Sequence, residues 1–185
     1  MIFEDKQITL KDGRTAVLKS PCVEDAEKLL NYIKKASSET DFLLRYPEEW
    51  NITVEQEEAW VNRIRSSPDT LGITCYINSE VAGNCEISFK SGMKTSHRAN
   101  IGIAILKDYW NLGIGSAMFE ELVAAAQNRG TEIMELDFVE GNDRARHLYE
   151  KFGFRVVCKK PNAFKLRDGT YLSEFHMQKY LIRRL

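Results

Sequence analysis

The sequence predicts an α+β fold with a mixed sheet, and three observations carry that expectation. Hairpin signals stand at both ends of the chain, a run of strand patterns fills the middle, and strands and helices alternate after residue 98. The chain has 185 residues, so one domain spanning 1–185 is the natural expectation. A chain of this length buries about 70% of its extended surface and needs no disulfide or metal staple.

Near the start, Ile8–Leu10 and Thr15–Lys19 flank Lys11-Asp12-Gly13, and Asp-Gly between β-favouring runs signals a hairpin. A helix follows, with Ser20 as its cap and Pro21 in its first turn. Val23, Ala26, Leu29, Leu30 and Ile33 repeat at helical spacing. After Ala36 the segment SSETDFLLRYPEEWN has no clear period and reads as an irregular excursion. Thr53 with Gln56 three residues on forms a capping box, opening a helix that turns Trp60, Val61 and Ile64 inward.

Strand patterns come next: Leu71–Ile77, a turn at Asn78–Glu80, Val81–Phe89, then Ala99–Leu106 after the loop SGMKTSHR. Gly113-Ile114-Gly115 opens a helix that runs to about Asn128 and stops at Gly130. A strand over Glu132–Val139 leads to a helix from Asn142 to Phe152, closed by Gly153. Two strands around Asp168-Gly169 form the last hairpin.

Composition excludes several classes. Lys and Arg number 26 against 27 Asp and Glu, which argues against a generic nucleic-acid binder. No apolar run approaches the length of a membrane span or a signal peptide. Cys22, Cys75, Cys85 and Cys158 are scattered without ligand spacing, so they read as reduced, mostly buried residues of a cytoplasmic protein with no metal site.

The chemistry concentrates in YWNLGIGSAMFEELVAAA. Gly113 and Gly115 lack a Cβ, so a ligand can approach the backbone closely. The first N–H groups of the following helix have no internal partner, and its dipole favours an anion. Together these suit a phosphate or pyrophosphate. A dinucleotide fingerprint would need glycine where Met118 stands, and no Gly-Lys-Ser/Thr triplet exists for a P-loop. Alone, the glycines could equally serve a tight turn. Some thirty residues later comes NDRARHLYEKFGF. Helical spacing puts Asn142, Ala145 and Tyr149 on one face and the apolar Leu148 and Phe152 on the other. A thin ligand could lie along Ala145 between Asn142 and the Tyr149 hydroxyl; the plain alternative is a cap and a packed ring.

The two motifs, in this order with a strand between them, resemble the GNAT superfamily of acetyl-CoA-dependent N-acetyltransferases. The resemblance covers most of the chain and is strongest from Ile101 to Phe154. The family's loop reads Gln/Arg-x-x-Gly-x-Gly/Ala; here it is Trp110-Asn111-Leu112-Gly113-Ile114-Gly115, with Trp in place of the first polar residue. The later motif is present through Asn142, Ala145, Leu148, Tyr149, Lys151, Gly153 and Phe154. The resemblance implies a twisted, mostly antiparallel sheet of about seven strands flanked by about four helices, with a central splayed parallel pair. It implies acetyl-CoA as cofactor, held by Ile103, Ala104, Ile105, the loop from Trp110 to Ser116, Asn142, Ala145 and Tyr149.

It further implies direct attack of a primary amine on the thioester in a ternary complex. An N–H near Ile105 would face the developing oxyanion. Tyr149 would protonate the departing thiolate; a phenol near pKa ~10 and a thiol near ~8.5 differ by about 2 kcal/mol. The base that many relatives carry falls on Asn100, which cannot accept the proton. Glu86 is the nearest substitute, with His97 behind it. The acceptor, a small-molecule or peptide amine, would meet Glu39, Asp41, Phe42 and Arg45 from the irregular segment. The acids suit a cationic amine, and Arg45 would suit a carboxylate. A homodimer stays open by family habit. The alternative is a non-catalytic acyl-CoA-binding module on the same fold, kept alive by Asn100; Tyr149 favours the enzyme.

Overall fold

The computed structural model describes residues 1–181. One eight-stranded sheet runs through them, in the order β1-β2-β3-β4-β5-β6-β8-β7. The strands are β1 (Lys6–Thr9), β2 (Thr15–Lys19), β3 (Thr70–Ile77), β4 (Glu80–Phe89), β5 (Arg98–Ile105), β6 (Ile133–Val139), β7 (Arg155–Lys165) and β8 (Tyr171–Tyr180). Eight strands stand where about seven were expected, because both terminal hairpins join the sheet. Four α-helices complete it: α1 (Ala26–Ser38), α2 (Val54–Ser66), α3 (Ile114–Asn128) and α4 (Asp143–Lys151).

All strand pairs but one are antiparallel. The parallel pair is β5 with β6, and it holds only from Arg98↔Ile133 to Asn100↔Glu135. Beyond those residues the two strands diverge, as the central splay required.

Helices cover both faces. Met118, Phe119 and Leu122 of α3 pack with Ile73, Cys75, Cys85, Ile87 and Ile101, and Tyr149 of α4 joins the same cluster. On the opposite face Leu29, Tyr32 and Ala36 of α1 and Val61 of α2 meet Tyr76 and Val81. Gly72 permits this second layer, since a Cβ there would lie 2.9 Å from Ile64 Cγ2.

Local signals mostly hold. Thr53 Oγ1 accepts the Gln56 N–H at 3.3 Å, and Gln56 Oε1 accepts the Thr53 N–H at 2.9 Å, closing the capping box. Ser20 is a correction: its hydroxyl accepts the Phe3 N–H at 2.8 Å and caps no helix. A 3₁₀ turn over Val23–Asp25 intervenes before α1, which moves the helix start beyond the reach of Ser20. The cysteines divide evenly: Cys75 and Cys85 are buried, Cys22 is half-buried and Cys158 exposed. None of the helices is long and apolar enough to cross a membrane among the described residues.

Candidate functional site

The divergence of β5 from β6 opens a cavity of about 740 Å³. Its walls include the consecutive residues Ile101 to Ile105 of β5 and Asp137, Phe138 and Val139 of β6. Successive strand residues point to opposite faces, so the cavity passes between the strands and reaches both sides of the sheet. The glycine loop and α4 bound it on one face. Glu39, Thr40, Phe42, Leu43 and Leu44, between α1 and α2, bound it elsewhere.

The glycine loop is built for close approach. Gly113 caps α3 with φ +98°, a left-handed conformation that disfavours any side chain with a Cβ. Asn111 is also left-handed, at φ 62°. A Cβ on Gly115 would stand 3.0 Å from Leu148 Cδ2, so the glycine lets α3 and α4 draw together beneath the loop. Of the first helical N–H groups, that of Ala117 is bonded to Gly113 O at 3.1 Å. Those of the turn before it are left for a ligand.

Of the residues expected at the cofactor, all but Leu112 line the cavity. Leu112 instead turns its carbonyl to the Lys11 N–H at 3.1 Å, tying the loop to the first hairpin. Trp110 is fixed by its indole N–H, which donates to Ile105 O at 2.6 Å. Asn142 does cap α4, accepting the Ala145 N–H at 3.3 Å, while still lining the cavity. The face reading of α4 needs amendment: Leu148 lines the cavity too, because the cavity wraps around the helix toward Gly115.

Tyr149 is buried among Phe119, Phe138 and Phe154, with ring centroids 5.4 to 6.4 Å away. Burial pushes its phenol up to about 12, against the opposing pull of the Arg144 charge. The proton therefore stays on Tyr149 throughout neutral pH. Relative to a thiol near ~8.5, the gap grows to about 5 kcal/mol.

Glu86 and His97 do not line the cavity. Glu86 stands on β4 opposite Gly102, one strand from the opening, and its carboxylate accepts the Ser88 hydroxyl at 3.3 Å. Asn100 is exposed and is the last β5 residue paired to β6. Asp137 does line the cavity and was missed in the sequence. It lies two residues past the last parallel pair, and its side chain is 52% exposed. Its strand neighbours Leu136 and Phe138 face the α3 core, so Asp137 faces the other side. His176, its register partner on β8, bonds Asp137 Oδ1 through Nδ1 at 2.7 Å. The other ring nitrogen lies 3.7 Å from buried Glu135. The signal lay in the pattern IMELDFV, where Glu135 and Asp137 alternate on one face of a strand whose other residues are apolar.

The acceptor residues divide. Glu39 and Phe42 line the cavity; Asp41 and Arg45 do not. Glu39 accepts the Lys107 N–H at 2.7 Å. Arg45 lies over the Trp50 ring, 4.8 Å from its centroid. The fit to a coenzyme is supported by this chain's own atoms. The loop turns on Gly113 in a left-handed conformation, the helix amides ahead of Ala117 have no partner within the helix, and Arg144 Nη1 is buried in the cavity wall without a partner.

A splayed mixed sheet with a glycine-loop helix at the gap defines an acetyltransferase fold, and residues 36–154 match the Acetyltransferase (GNAT) family. The chain belongs to that family. It is similar to the L-amino acid N-acetyltransferase AaaT of Escherichia coli K12, 27% identical over 124 residues, which are 65% of this chain and 75% of that protein. It is also similar to the ribosomal protein bS18-alanine N-acetyltransferase of the same organism, 33% identical over 67 residues. That match spans 36% of this chain and less than half, 45%, of the relative. Among solved structures, a GNAT-family acetyltransferase from Streptococcus pneumoniae superposes with TM-score 0.83 at 27% identity, covering 90% of this chain and 99% of that one. A Salmonella typhimurium structure carrying acetyl-CoA superposes with TM-score 0.78 at 15% identity, over 92% and 96% of the two chains.

Proposed function

We propose that this protein transfers the acetyl group of acetyl-CoA to a primary amine of a small molecule or peptide. One observation carries the reading. The cavity runs through the sheet, with the glycine loop, α4 and Tyr149 on one side and Asp137 on the other. Bound acetyl-CoA would supply an activated thioester carbonyl. The loop from Trp110 to Ser116, with Asn142 and Ala145, would hold it, and the unpaired edge of β5 around Ile105 would offer backbone N–H to the carbonyl oxygen. Tyr149 Oη keeps its proton and presents it to the departing sulfur.

The amine enters from the other side. An alkylamine with pKa ~10.4 is almost wholly protonated at neutral pH, so freeing its lone pair costs about 4.6 kcal/mol and the proton needs an acceptor. The proposal gives that role to Asp137 rather than Glu86, since Asp137 lines the cavity and His176 orients its carboxylate. Asp137, Glu39 and Glu174 give the acceptor side an acidic lining, which favours a cationic amine. Arg45, resting on Trp50, offers no carboxylate partner there.

The test is thiol release from acetyl-CoA against polyamines, amino sugars, amino acids and short peptides, with calorimetry in parallel. Turnover with cationic amines is expected. Tight acetyl-CoA binding with no turnover across the panel would instead support the binding module, and no binding would overturn both. With an active amine, Asp137→Asn should lower kcat at least tenfold, while Glu86→Gln should leave it. The reverse pattern returns the role to Glu86.

A further inference from the structure

Arg144 is the second residue of α4, where the helix dipole opposes a cation. Asp143 beside it suits that position; Arg144 does not, and local rules are commonly broken where a function compensates. Its guanidinium lies over the Trp110 ring and forms no ion pair among the described residues. Nη1 is buried without any hydrogen-bond acceptor. Loss of hydration pulls its pKa down to about 10, still charged at neutral pH. A guanidinium that keeps its charge with an empty donor pair is poised for an anion. It lines the same cavity as Gly113, Gly115 and Ser116.

The position of its aromatic support gives the anion's identity. Trp110 stands three residues before Gly113, at the entry to the glycine loop. The indole is anchored to Ile105 O and so makes a fixed shelf at the mouth of the loop. The guanidinium therefore stands beside the loop and the head of α3, delivered from α4 rather than from the loop itself.

We propose that Arg144, shelved on Trp110, is a ligand of the coenzyme's diphosphate, acting with the free amides of the α3 N-terminus. The two elements grip the group from different sides: α3 offers N–H groups in line with its axis, and Arg144 offers a planar fork suited to two phosphoryl oxygens. The arrangement makes Trp110 and Arg144 one unit. Trp110 sets the guanidinium's plane, and neither side chain replaces the other.

This inference rests on the acetyl-CoA reading above, and the experiment separates their failures. Calorimetry compares acetyl-CoA, its 3′-dephospho analogue and S-acetylpantetheine, which lacks the diphosphate, on the wild type, Arg144→Gln and Arg144→Lys. Arg144→Gln should weaken acetyl-CoA and the dephospho analogue alike, by about 10- to 100-fold. S-acetylpantetheine should bind both proteins equally. Arg144→Lys should recover part of the loss, as a point charge without the fork. Trp110→Phe, which keeps a ring but loses the anchor to Ile105, should weaken the two diphosphate ligands and spare S-acetylpantetheine. A penalty confined to acetyl-CoA would move Arg144 to the 3′-phosphate and overturn the proposal. Equal penalties on all three ligands would mean a packing role, and no penalty would mean no role. If the wild type binds none of the three, the coenzyme reading itself fails.

Discussion

Tyr149 carries a phenol among three phenylalanine rings, and that setting both protects and limits its proton. With burial raising its pKa to about 12, Tyr149 keeps its proton at neutral pH. Its cost as a full acid toward sulfur is larger than for a solvated phenol, so positioning must supply the difference. Tyr149→Phe removes one hydroxyl and keeps the ring. We expect kcat to fall at least tenfold with little change in the KM for acetyl-CoA, read under conditions where chemistry limits the rate. An unaltered kcat would remove Tyr149 from proton transfer. Asp137 is the complementary case. The register places His176 opposite it, so the carboxylate is aimed before any substrate arrives. His176→Asn should therefore lower kcat less than Asp137→Asn does, and an equal loss would mean that His176 does more than aim the carboxylate. At this scale the sequence was informative on the coenzyme side, where glycines and an Asn-x-x-Ala frame leave a linear trace. On the opposite side of the cavity Asp137 was harder to read, because its pairing with His176 comes about through strand register. Arg45 was opaque for a similar reason: whether a loop arginine faces a cavity or a tryptophan depends on the loop's path.

Elements carry the next set of expectations. The capping box at Thr53 satisfies two helix-end donors, and α2 packs Val61 and Ile64 against the sheet. Thr53→Ala should cost about 1 kcal/mol, measured by urea denaturation. Gly113 holds φ +98° at the head of α3, so Gly113→Ala should cost about 1–2 kcal/mol in stability and also weaken acetyl-CoA binding. Loss of stability with unchanged binding would mean that the loop's shape matters only for folding. The helices and strands were readable because their periods differ and their stops are marked by glycine and capping residues. The start of α1 was misplaced since Ser20 reads as a cap, whereas the Phe3 amide claims its hydroxyl from far away in the chain. Such a competition is tertiary and leaves no mark on local spacing.

At the scale of the whole molecule, the far side of the sheet is strapped by charge. Glu140, just past β6, accepts a proton-bearing Lys159 Nζ from β7 at 2.8 Å and the Ser173 N–H from β8 at 3.1 Å. These partners, Lys159 first, hold its carboxyl down near 2. A lowered folded pKa means that the stabilisation is complete above the unfolded value near 4.5 and is lost as pH falls toward 2. The thermal midpoint of Glu140→Gln should thus trail the wild type at pH 7, with the gap narrowing as pH falls below 4.5 and closing only below about pH 2. A constant difference across that range would mean that charge is not what Glu140 contributes.

The short parallel seam between β5 and β6 has a consequence for how the molecule is made. Strands β1 to β5 each pair with their neighbours in the chain, so that half of the sheet can assemble hairpin by hairpin, if Asn78-Ser79 and the other turns close. The other half can do so only in part, at the β7–β8 hairpin. β8 must insert between β6 and β7, and β6 touches the first half through three residue pairs alone. Contacts of long sequence separation form late. The chamber between the diverging strands therefore depends on the slowest pairings of the sheet, and a chain truncated before β8 is expected to lose it.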